Sequence, residues 1–175
     1  MDSPALEDEL YRRASYLMRR ERWAEAAKLL NPECTEKKGN WRSCWNLGWC
    51  YLKMGKLEFA QKYLTRAHKF SPNSASCKWA LGVLYLKLNQ FGKAEGVLAE
   101  SLNIKDTHNT RIALALAYLA AGKVTEAENT HLENIRLRPK RSAGYESYAA
   151  FLSDVGRETE AQNIQRKARQ LQELN

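Results

Sequence analysis

The sequence has no apolar run near the ~20 residues that span a bilayer, so no membrane insertion is expected. Nine glycines and four prolines in 175 residues are too few for a fibrous or disordered chain. A phosphate-cradling glycine loop, H-E-x-x-H, G-x-S-x-G and the EF-hand calcium loop are all missing. The three histidines, His68, His108 and His131, lie far apart and read as ordinary surface or half-buried residues. The expectation is a non-enzyme with no catalytic residues, no metal ligands and no cofactor. Cys34, Cys44, Cys50 and Cys77 form no C-x-x-C pair, and an even count alone does not indicate disulfides in a chain that reads as cytosolic. All four are expected to be inert thiols, with Cys50 and Cys77 as small packing residues. Met1 to Asp8 is acidic and has no apolar stretch, unlike a secretory leader, and a cytoplasmic location is expected.

What the chain does have is a repeated spacing. Leu47, Gly48, Tyr51, Gly55 and Ala60 are followed by Leu64, Ala67 and Pro72. About one period of 34 residues later come Leu81, Gly82, Tyr85, Phe91, Ala94 and Leu98, and then Leu114, Ala115, Tyr118, Gly122, Ala127 and Pro139. Each set reads as helix, tight turn, helix. Gly48 lets two helices approach, and Gly55 supplies a turn with positive φ. Asn89, the next best residue for that conformation, stands in the equivalent place.

These residues resemble the tetratricopeptide repeat family. The resemblance covers about residues 7–175 and is strongest over 41–141. It implies an all-α, right-handed superhelical solenoid of antiparallel helix pairs, one domain over 1–175. The repeats are 7–40, 41–74, 75–107, 108–141 and 142–175. The first is degenerate: Leu10, Ala14 and Leu17 share a helix face, Arg19 to Arg22 form a polar turn, and Pro32 ends the second helix early. An irregular loop is expected from Asn31 to Asn40. In the last helix Ala161, Ile164, Ala168 and Leu171 make one narrow apolar stripe, which suits a cap.

Candidate binding residues are aromatic. Trp45 and Trp49 are one helical turn apart, Trp79 is 34 residues after Trp45, and Tyr11 is 34 before it. The family resemblance implies that the fifth and ninth places of each first helix face a concave groove. The implied wall is Tyr11, Trp45, Trp49, Trp79, Val83, Ile112 and Leu116, with Lys53 and Lys87 at its edge and Arg12, Arg42 and Asn46 nearby. A one-residue change of register would put Trp45 in the core, so Trp45 and Trp79 stand open between groove and core. The family's clamp for a C-terminal carboxylate has Lys and Asn at these two places. Tryptophans stand there instead, which points away from that clamp.

The net charge is +8, and residues 41–74 alone hold six basic side chains against one acidic. The partner expected is a protein or peptide segment with apolar anchors and acidic flanks, bound by a scaffold or adaptor. The alternative is a helical-repeat module for single-stranded RNA, where aromatics beside Lys and Arg would stack on bases. Self-association through the groove is a further reading.

Overall fold

The computed structural model describes residues 4–34 and 40–173. Residues 35–39 of the expected loop lie outside them, as do residues 1–3 of the acidic N-terminus. Among the described residues there are ten α-helices and no strand: α1 Pro4–Arg19, α2 Trp23–Leu30, α3 Trp41–Lys53, α4 Leu57–Phe70, α5 Ala75–Lys87, α6 Phe91–Ile104, α7 His108–Ala120, α8 Val124–Leu137, α9 Ser142–Asp154 and α10 Glu158–Glu173. The repeat boundaries read from the sequence coincide with the first residues of α3, α5, α7 and α9. As expected, Pro32 stops α2, which passes into a single 3₁₀ turn at Asn31–Glu33. No helix among the described residues is long and apolar enough to cross a membrane.

Each pair is closed by the same turn. The residue two past the first helix is left-handed: Glu21 (φ 56°), Gly55 (72°), Asn89 (57°), Gly122 (76°) and Gly156 (79°). The following amide reaches back five residues, as in Arg22 N–H to the Leu17 carbonyl and Lys56 N–H to that of Tyr51, both at 2.9 Å. Gln90 to Tyr85, Lys123 to Tyr118 and Arg157 to Leu152 repeat the bond at 2.8–2.9 Å. This is the Schellman closure, which satisfies carbonyls that the helix end would leave orphaned. Asn40, Ser74 and Thr107 accept amide hydrogens at the starts of α3, α5 and α7, so the first helices of the middle repeats are also capped.

The chain divides into two compact units, Met1–Gln90 and Phe91–Asn175, with the boundary inside the third repeat. In the first unit Leu47, Cys50, Ala60, Leu64 and Ala67 are fully buried where α3 and α4 meet. A Cβ on Gly48 would stand 2.7 Å from Leu64 Cγ and 3.0 Å from the Leu64 backbone nitrogen, so only glycine allows this approach. In the second unit Ala127, Tyr148, Phe151, Leu152 and Ala161 form the core under α8, α9 and α10. The expected stripe on α10 is present: Ala161 and Ala168 are buried, and Ile164 and Leu171 are half-buried.

Two expectations are corrected. Cys34 and Cys44 are not inert thiols but a disulfide, with sulfurs 2.06 Å and Cα atoms 5.0 Å apart. The 3₁₀ turn after α2 carries Cys34 back to α3, which the sequence spacing does not reveal. Cys50 and Cys77 are free and buried as expected, and burial pushes the Cys50 thiol up to about 12. The histidines differ as well: where surface or half-buried residues were expected, His108 and His131 are buried side chains of the second unit.

Candidate functional site

The site begins with the pattern on α3. Cys44, Leu47, Gly48 and Cys50 turn into the core. Trp41, Trp45, Trp49 and Lys53 follow one another at steps of four, so they form one stripe along the opposite side. Arg42 and Asn46, also four apart, lie beside that stripe.

α5 brings Trp79 against the stripe. The Trp45 and Trp49 rings are parallel with centroids 5.8 Å apart. Trp79 tilts by 31° against both, 4.7 Å from Trp49 and 6.4 Å from Trp45. The Lys53 ammonium lies 5.4 Å from the Trp49 ring and 5.9 Å from that of Trp23, which opens α2. Trp45 donates its indole N–H to the Ser76 carbonyl at 2.9 Å, tying α3 to the first turn of α5. Ring pairs of this kind contribute about 0.5–1.5 kcal/mol each and an exposed cation over a ring about 0.5–1 kcal/mol. The cluster therefore holds itself in shape, and all three of its tryptophans are half-buried. Trp45 packs against the core of the first unit and also lines a surface pocket.

That pocket encloses about 340 Å³ between α1, α3 and the start of α5, lined by Tyr11, Ser15, Trp41, Arg42, Trp45, Asn46 and Ser76. Tyr11 is fixed by a 2.8 Å hydrogen bond between its hydroxyl and that of Ser43. The Arg42 guanidinium lies over the Trp41 ring, 5.5 Å from its centroid.

Of the residues expected from the sequence, Tyr11, Arg42, Trp45 and Asn46 meet at the pocket, and Trp45, Trp49, Trp79 and Lys53 meet in the stack. Arg12 is exposed on α1, Val83 is half-buried on α5, and Lys87 is exposed at the end of α5. Ile112 and Leu116 belong to the second unit, half-buried and 46 % exposed respectively. Sequence reasoning missed Trp23, Trp41, Ser15 and Ser76 as members of the site. Trp41 was legible by the same four-residue step that selects Trp45 and Trp49, whereas Trp23 joins only through the crossing of α2 beside Lys53.

In the second unit two carboxylates are each held by a pair of donors. Asp106 accepts from Arg111 (2.6 Å) and Arg138 (2.9 Å), and the Arg111 hydrogen bonds hold its carboxyl below the usual range. Glu128 accepts from the Tyr148 hydroxyl at 2.7 Å and from Arg157 at 2.6 Å, which lowers its pKa likewise. Asn134 donates to His108 Nδ1 at 2.9 Å. His131 lies between Tyr148 and Phe151, its Nδ1 has no hydrogen-bond partner among the described residues, and burial lowers its pKa to about 4. Among the described residues no three His, Cys, Asp or Glu side chains converge as a metal site.

Residues 41–74 match the tetratricopeptide repeat family. No curated protein sequence matches the chain. Among solved structures it is similar to a thermophilic tetratricopeptide-repeat protein of Thermus thermophilus, with 18 % identity over 93 % of this chain and 89 % of that one and a TM-score of 0.83. It is also similar to MamA from Desulfovibrio magneticus RS-1, at 16 % identity over 96 % of both chains and a TM-score of 0.74. MamA of MSR-1 is 21 % identical over 94 % of this chain and 95 % of that one, with a TM-score of 0.69. The chain has the all-α helix-pair solenoid fold of tetratricopeptide-repeat proteins.

Proposed function

We propose that the chain is a non-enzymatic protein-interaction scaffold, and that the α3–α5 side of the first unit receives a peptide or protein segment with apolar anchors and acidic flanks. The observation that carries this reading is the stack of three half-exposed indoles with Lys53 over one of them. Large aromatic surfaces held in place lose little entropy on binding and are enriched among the residues that dominate interface energies. Cations beside them favour acidic partners and speed encounter.

The same geometry supports protein over RNA. A base needs an open aromatic face to stack on, and Trp49 already has Trp45, Trp79 and Lys53 around its ring. The test is capture of partners from a lysate by the full chain, identification of the bound segment, and its titration against wild type and Trp49→Ala. Trp49→Ala is expected to weaken binding by about 2 kcal/mol with unchanged helical circular dichroism. Unchanged affinity, or capture of RNA with a steep salt dependence, would remove the reading.

A further inference from the structure

The pocket beside the indole stack carries a chemistry that the stack lacks. Its walls are flat and apolar, formed by the rings of Tyr11, Trp41 and Trp45. Two of its polar atoms are already used, since the Trp45 N–H is donated to Ser76 and the Tyr11 hydroxyl is bonded to Ser43. Two other groups are unspent. Arg42 rests on Trp41, and among the described residues no carboxylate pairs with its guanidinium. The Asn46 side-chain amide likewise makes no hydrogen bond among the described residues, and it stands one helical turn from Arg42. A guanidinium offers donors only, in a fork that fits two carboxylate oxygens, and the amide adds two further N–H donors. Aromatic walls with an unpaired guanidinium at the rim call for a ligand that is apolar and carries a carboxylate.

We infer that this pocket binds an internal acidic residue, Asp or Glu, together with the bulky apolar residue next to it in a partner's chain. The apolar side chain lies against Trp41, Trp45 and Tyr11, and the carboxylate takes Arg42 and Asn46. The volume of about 340 Å³ has room for such a pair of side chains. Resting on the reading of the first unit as a docking face, the inference identifies the residues on it that read charge. Arg42 and Asn46 lie in the second and sixth places of their repeat. A Lys–Asn pair at the fifth and ninth places is not what stands here.

The experiment uses the full chain and three short peptides, followed by NMR through the indole N–H resonances. Acetyl-Ala-Phe-Glu-Ala-amide carries the internal acid, acetyl-Ala-Phe-Gln-Ala-amide is its neutral twin, and acetyl-Ala-Ala-Phe carries only a terminal carboxylate. The Glu peptide is expected to bind at least about tenfold tighter than the Gln peptide and to weaken with added salt, as a charge-assisted contact at an exposed rim should. Arg42→Gln should erase the preference while Lys69→Gln, at an exposed position on α4 outside the stack and the pocket, leaves it. Arg42 is exposed, so both variants should retain the wild-type helical signal. Equal binding of the Glu and Gln peptides, binding of none, or binding of the terminal-carboxylate peptide alone would each overturn the assignment. So would an unchanged preference in Arg42→Gln. Those results would leave the scaffold reading standing if Trp49→Ala still releases the captured partner, so the two failures are separable.

Discussion

The two units are built on one plan and present different side chains to solvent. All five tryptophans and all four cysteines lie in Met1–Gln90, and none in Phe91–Asn175. In the first unit cations sit over rings: Lys53 over Trp23 and Trp49, Arg42 over Trp41. In the second most of the paired cations sit on carboxylates, in the Arg111–Asp106–Arg138 and Tyr148–Glu128–Arg157 networks and the Lys123–Glu95 pair, although Lys123 also lies 5.8 Å from the Tyr118 ring and the first unit has its own Arg22–Glu25 pair. A cation paired with a carboxylate has its charge satisfied within the fold. A cation over a ring keeps charge and donors to offer a partner. On the proposed reading, the repeat plan is shared by both units and partner binding falls to the unit whose ring-bound cations remain available.

The comparison can be broken at several depths. The largest effect is expected from Gly48→Val, which drives a side chain into Leu64 and its backbone and should cost about 3 kcal/mol or more in chemical denaturation. Its counterpart in the second unit is Gly96→Ala on α6, where nothing lies within 4 Å of the added Cβ; there a gain of up to about 1 kcal/mol is expected. Equal losses would mean that the close approach is not special to the first unit. Reduction of Cys34–Cys44 comes next. Opening a cross-link ten residues apart should lower stability by about 3 kcal/mol, seen as a shift in melting temperature on adding a dithiol and absent in Cys34→Ser/Cys44→Ser.

Acid should act on the other unit. His131 has its pKa lowered to about 4 by burial, against an unfolded value of about 6.5. The unfolded chain takes up the proton first as pH falls, so the neutral histidine's contribution is full above about 6.5 and is lost on the way to 4. About 2 kcal/mol should be gone by pH 5, and His108, also lowered by burial, adds in the same direction. Denaturation midpoints from pH 7 to 4.5 check the slope, which His131→Leu should flatten. The smallest effect is expected at the exposed Lys123–Glu95 pair: Lys123→Met should move the melting temperature by no more than about a degree or two.

Much of the fold was legible because its determinants are local. Helix starts at residues 41, 75, 108 and 142 follow from the period, and Gly55, Asn89, Gly122 and Gly156 mark their turns by residue type. Glu21 holds the same left-handed geometry with a residue that gives no hint of it, since neighbouring packing can impose a backbone that the side chain disfavours. In the candidate site, the packing of Trp45, Trp49 and Trp79 against one another follows from the four-residue step and the 34-residue period. The disulfide was not legible, because the chain path after Pro32 decides whether two cysteines ten apart can meet. The His108–Asn134 hydrogen bond was likewise hidden, joining residues 26 apart on neighbouring helices.

The disulfide also joins two different repeats, Cys34 at the end of the first and Cys44 in the second. In a linear array each repeat leans on its neighbour, and a repeat with few contacts exchanges its amides soonest. The cross-link holds the end of the first repeat directly against α3, with Cα atoms of Cys34 and Cys44 5.0 Å apart. Tyr63 bonds to Asn31 and Arg66 to the Cys34 carbonyl across the same boundary, at 3.1 and 2.9 Å. The first two repeats are therefore expected to exchange their amides together while the disulfide is intact, which hydrogen exchange with and without a dithiol would check.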